Sequence, residues 1–242
     1  MQTTKTSDEN VALNDERIVQ PFSRRRFLGY VGATSALLAT VASCKKDNTN
    51  TTNTGVDLGS GDVGILNYAY ALEQLEAAFY TQVVATPYSG ISALETEYMT
   101  DIRNHEVAHR EFFKAAITAA APTMIIPSLA VNFSSIDFTS RTSVLATAKA
   151  FEDLGVTAYN GAGQLISTTG NGPTYLTLAG KIVSVEARHA ALIRDLLADG
   201  SFADSSVIDA NGLDVIRLPL DVLAIAGTYI TTKINASNLP TS

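Results

Sequence analysis

Glu106-Val107-Ala108-His109 and Glu186-Ala187-Arg188-His189 decide how this chain is read. Glu and His three residues apart share one face of a helix, about one turn from each other. That spacing brings a carboxylate oxygen and an imidazole nitrogen to where one cation can meet both. The chain has only three histidines, and two of them fall in this doubled pattern. A lone glutamate precedes each copy at matching distance, Glu73 by 33 residues and Glu152 by 34. A tyrosine follows each lone glutamate at plus seven, Tyr80 and Tyr159. The chain therefore spells Glu, Tyr, Glu-x-x-His, and then spells it again.

Apolar periodicity places each element on a long helix. The first is predicted from Asp62, as its N-cap, to about Ala85, with Leu66, Ala69, Leu72, Glu73, Glu76, Tyr80 and Val83 on one stripe. The second runs from Ser92 to about Ala120 and the third from Ser140 to about Ser167. The fourth runs from Thr174 to about Asp199, after the turn Gly170-Asn171-Gly172-Pro173. Residues 122–139 form a long connection between the second and third. Glycines in the third helix weaken it, and either permit close approach or leave space beside a site. Residues 201–242 read as an irregular appendage with a short helix near Leu220 to Ala226.

In all four helices the motif carboxylates lie inside the apolar stripe. A buried carboxylate is costly unless it is paired or coordinates a metal. Four of them facing one another repel, whereas two divalent cations balance their charge and two neutral imidazoles complete the set. The candidate metal ligands are Glu73, Glu106, His109, Glu152, Glu186 and His189. Glu76, one turn beyond Glu73, competes with it, and the repeat favours Glu73 because Glu76 corresponds to Gly155. Tyr80 and Tyr159 are expected to orient the ligating glutamates through their hydroxyls. His105 is expected to point off the stripe into solvent or a local bond. Glu95, Asp101 and Glu111 are expected on a solvated face.

The N-terminus reads as an address. Ser23-Arg24-Arg25-Arg26-Phe27-Leu28 looks like a twin-arginine export signal, and an apolar stretch from Phe27 to Ala42 follows. That stretch is too short and too rich in small residues to span a membrane convincingly. Val41-Ala42-Ser43-Cys44 resembles a bacterial lipoprotein processing site, with Cys44 lipidated. Cys44 is the only cysteine, which excludes an intrachain disulfide. Residues 45–60 are polar and are expected to be a flexible tether. The expected organisation is a signal over 1–44, the tether, a bundle over 61–200 and the appendage over 201–242. The protein is then exported and held at the periplasmic side of the envelope by its lipid alone.

Of 17 basic and 24 acidic side chains, five and four lie in the first 44 residues, which leaves 12 and 20 and a formal charge of −8. That balance disfavours nucleic-acid binding.

The ordered set Glu73, Glu106-x-x-His109, Glu152, Glu186-x-x-His189 resembles the ferritin-like superfamily, as does the string Leu72-Glu73-Gln74-Leu75-Glu76-Ala77-Ala78-Phe79-Tyr80. The string is similar to bacterial exported ferritin-like domain proteins related to plant desiccation-related proteins. The resemblance implies an all-α four-helix bundle with one long crossover between the second and third helices. It implies a di-iron or di-manganese carboxylate site, with Fe(II), O2 or peroxide as reactants of an oxidoreductase of the ferroxidase or manganese-catalase type. The fold alone leaves open a non-catalytic module stapled by metal, and it leaves homo-oligomer formation open.

Overall fold

The computed structural model describes residues 55–241. The expected signal, Cys44 and residues 45–54 of the expected tether lie outside the described residues. The element order is β1 (Val56–Asp57), α1 (Gly61–Ala85), α2 (Ala93–Ala120), α3 (Arg141–Gly163), α4 (Gly172–Leu197), α5 (Pro219–Ala226) and β2 (Ile234–Asn235). The expected all-α bundle is the observed one, with very little strand.

The helix ends differ from the sequence reading for local reasons. Ser60 holds the N-cap position of α1. Asp62 sits in the first turn, and its carboxylate accepts from Ser167 N at 2.8 Å and Ser167 Oγ at 2.6 Å. That bond holds the segment after α3, which ends at Gly163 rather than Ser167. α4 starts two residues earlier than expected because Pro173 fits the first turn, where a missing N–H leaves nothing unpaired. α2 opens on a capping box, in which Ser92 Oγ accepts from Glu95 N and Glu95 Oε2 accepts from Ser92 N. Glu95 is therefore not on a solvated face. It also pairs with Arg141 at the start of α3, at 2.6 Å.

Two cross-helix contacts fix the helix directions. Tyr80 on α1 bonds Glu152 on α3, and Tyr159 on α3 bonds Glu73 on α1. Rising numbers on one helix meet falling numbers on the other, so α1 and α3 are antiparallel. The same holds for α2 and α4, where Glu106 meets His189 and His109 meets Glu186. Each helix also packs mainly on its hairpin partner, α1 on α2 and α3 on α4. With both hairpins antiparallel, α2 and α3 must run the same way. The chain leaving α2 must therefore return the length of that helix, about 42 Å, and this is why the connection over 121–140 is long. Asn67 of α1 anchors the crossover, donating to Met124 O and accepting from Ile126 N. Gln74, two turns further along the same face, does the same, accepting from Leu129 N.

Residues 56–60 belong to the fold rather than to the expected tether. β1 pairs in parallel with β2, and Leu58 is fully buried. The C-terminal segment wraps back over the bundle, with Val222, Ala226, Ile230 and Leu239 buried. Arg194 of α4 is only 2 % exposed and holds that segment through Asp204, Ser206 and Ser201 O, while also pairing with Asp153 of α3.

Gly161 is where the segment touches α3. A Cβ there would lie 1.8 Å from Arg217 O, and Arg217 N donates to Thr157 O at 3.1 Å. Backbone cannot yield as a side-chain tip can. Gly161→Ala is expected to lower unfolding free energy by about 3 kcal/mol in urea titration and to speed proteolysis within 201–218. Wild-type behaviour in both measurements would remove the contact from this account.

Candidate metal centre

Each helix delivers its motif residues to the middle of the bundle. Glu73, Glu106, Glu152 and Glu186 are fully buried, and His189 is 4 % exposed. Glu73, Glu106, His109 and Glu186 form one group, and Glu106, Glu152, Glu186 and His189 form another. Within each, one ligand atom per residue lies within 4.8 Å of every other. All six residues singled out by the sequence are thus brought together, and Glu106 and Glu186 are common to both groups.

The atoms that converge are unsatisfied. Glu73 Oε2, both oxygens of Glu106 and Glu186, Glu152 Oε2 and Nδ1 of both histidines are buried without a hydrogen bond. They are close nonetheless, His109 Nδ1 at 2.9 Å from Glu186 Oε1 and His189 Nδ1 at 2.9 Å from Glu106 Oε1. Such groups are rare in a folded core and demand a partner. Hard oxygen and imidazole donors aimed at common points are the donor set that divalent iron or manganese accepts. The residues fit a metal.

Without metal the cluster must share protons. Burial pushes Glu73 up to about 7 despite the pull of His109. Burial raises Glu152 and, together with the charge of Glu106, drives Glu186 well above the carboxylate range. Burial would raise Glu106 too, but the two imidazoles facing it bring it down to about 2. Burial would lower the histidines. The carboxylates around them reverse this, raising His109 strongly and His189 to about 10.

The tyrosines act across the bundle, not along their own helix. Seven residues separate each tyrosine from its own glutamate by about 10 Å of helix rise, too far for a bond. Tyr80 Oη donates to Glu152 Oε1 at 2.5 Å, and Tyr159 Oη donates to Glu73 Oε1. Each hydroxyl takes one carboxylate oxygen and leaves the other pointing into the cluster.

Two residues play parts that the sequence reading did not give them. Glu76 is buried like Glu73, but only Glu73 falls in a convergent group. Its Oε1 lies 3.1 Å from where a Cβ of Gly155 would be, and its Oε2 has no partner. Of the two readings of the α3 glycines, space beside the site holds at Gly155 and close approach at Gly161. Burial, followed by the charges of Glu186 and Glu106, raises Glu76 well above its usual value.

His105 does not turn away to solvent alone. Its Nδ1 lies 2.9 Å from His189 Nε2, with the ring planes 6° apart. The spacing of four to His109 puts both on one side of α2, and that signal was readable. Asp101 and Glu111 are exposed, as expected. A small apolar pocket of about 20 Å³, lined by Leu66, Tyr68, Leu72, Phe113, Ala158 and Tyr159 among others, abuts the Tyr159 end of the cluster.

Fold and site together define a helical-bundle protein whose buried carboxylate–histidine groups could hold metal ions. The chain belongs to the ferritin-like family, since the model for a ferritin-like domain matches residues 61–199. No curated protein matches the chain. Among the described residues no helix is long and apolar enough to cross a membrane.

Proposed function

We propose that the bundle holds two iron or manganese ions and handles Fe(II), O2 or peroxide as an oxidoreductase in stress protection. The observation that carries this is the sharing of Glu106 and Glu186 between two four-residue groups. Bound there, iron or manganese supplies one-electron redox chemistry toward O2 or peroxide.

The chain's own residues set the conditions. Glu106 and Glu186, common to both groups, are the residues that both ions would share. Glu73 with His109 holds one side, and Glu152 with His189 holds the other. Tyr159 and Tyr80 orient Glu73 and Glu152 by holding one oxygen of each. Glu76, kept neutral by burial, holds a proton at the edge of the cluster. The pocket beside Tyr159 has room for about one water-sized molecule.

Elemental analysis of the reconstituted protein, with assays of Fe(II) oxidation and of oxygen release from peroxide, tests this reading. Two metals per chain with turnover is the expected result. Fewer than one metal per chain would sink it. Two metals without turnover would favour the second reading, a protective module in which metal serves only to staple the core, which the unpartnered buried donors also support.

The N-terminal motifs extend the proposal to an exported protein, carried by the twin-arginine route and anchored at Cys44 on the periplasmic side. Cys44→Ser is expected to move the protein from the membrane fraction to the soluble one. An unchanged distribution would refute the lipid anchor.

A further inference from the structure

His105 is exposed, whereas the ring it touches is buried. His189 presents Nδ1 to Glu106 at 2.9 Å and to Glu152 at 3.4 Å, and Nε2 to His105 Nδ1 at 2.9 Å. A neutral imidazole carries one N–H, and the bond made by one nitrogen decides which nitrogen is bare. If Nε2 donates to His105, the lone pair of Nδ1 faces the carboxylates, as a metal ligand requires. His105 then carries its own proton on Nε2. The near-parallel rings hold the plane of His189 as well as its tautomer.

The other half of the cluster has no counterpart. His105 stands one residue before Glu106, and the residue one before Glu186 is Val185. Val185 has no side-chain acceptor for His109. The doubled pattern is therefore unequal at this point.

We propose that His105 is a positioning residue for His189, fixing its tautomer and ring plane so that the two metal positions differ in what holds them. The inference rests on the dinuclear reading above. Hydrogen-bond partners of ligating histidines typically change metal affinity 10–100-fold when removed, and the effect here falls on the His189 side alone.

The test is a cobalt(II) titration of the full chain, followed by absorbance and equilibrium dialysis, for wild type, His105→Leu and His105→Asn. The Asn amide oxygen reaches the place of the imidazole Nδ1 and keeps an acceptor there. Wild type is expected to take up two ions. His105→Leu is expected to hold one ion unchanged and to bind the other about 10–100-fold more weakly, whereas His105→Asn stays within about threefold of wild type. Unchanged binding of both ions by His105→Leu overturns the proposal. So does equal weakening of both, or failure of His105→Asn to rescue, since either marks lost packing and not a lost acceptor. Fewer than two ions in wild type overturns the dinuclear reading itself, and the inference falls with it by a separate result.

Discussion

Glu186→Gln is expected to remove the stabilisation that metal gives while leaving the metal-free protein almost as stable as before. Glu186 is shared by both groups, so its loss would remove a ligand from each proposed ion at once. Its carboxyl is held neutral by burial and by the charge of Glu106 when no metal is bound. Glutamine has nearly the shape of that neutral acid, so the metal-free melting temperature should move by only about 2–4 °C, equivalent to 1 kcal/mol. The loaded protein differs sharply. Ligand at 100 times its dissociation constant stabilises by about 2.7 kcal/mol per site, and two sites raise the melting temperature by about 10–20 °C in a domain of this size. That rise should nearly vanish in the variant, together with bound metal. A full rise on adding Fe(II) or Mn(II) to Glu186→Gln would show that Glu186 does not bridge.

The second large effect is on pH dependence. In the metal-free protein Glu73 titrates at about 7, above its ordinary value of 4.5. The folded state then holds a proton that the unfolded chain releases. Stability is full below pH 4.5 and is lost as pH rises through 7, by about 3 kcal/mol at 1.36 per unit. His189, raised to about 10, adds a loss of the same sign above pH 6.5. Glu106, lowered to about 2, acts oppositely, and its contribution is lost as pH falls below 4.5. Metal-free protein should therefore be most stable near pH 4.5–5 and melt progressively lower toward pH 8. Metal competes with protons for the same atoms, so the metal-linked gain should grow over that range. Calorimetric scans with and without Mn(II) from pH 4 to 8 measure both. A metal-free melting temperature that is flat or rising from pH 5 to 8 would contradict the shared-proton cluster.

The bundle and its six convergent residues were legible because helix geometry is local. A spacing of three puts Glu106 beside His109 whatever surrounds them, and the doubled spacing placed Glu73 and Glu152. The crossover was legible from the length of chain, residues 122–139, between the second and third predicted helices. What escaped depends on pairings between helices. The tyrosines serve the opposite glutamate because α1 and α3 run antiparallel, and no spacing within one helix encodes that. Glu76 stands on the predicted stripe beside Glu73, but its place opposite Gly155 depends on how α1 packs on α3. His105 reads as solvated or locally bonded because its partner lies on another helix, although its spacing to His109 is in view. The union of residues 56–57 with 234–235 joins the two ends of the described chain and has no local signature.

The distribution of the six residues also orders events in time. Each helical hairpin, α1 with α2 and α3 with α4, carries three of them, and each metal group draws on both hairpins. Hairpins form from near neighbours in sequence and form fast, whereas bringing the two together must close the crossover loop. No complete cradle exists until that docking is done. Metal capture at these groups would thus be a late event on the folding path, and it would lock a docked bundle instead of seeding one.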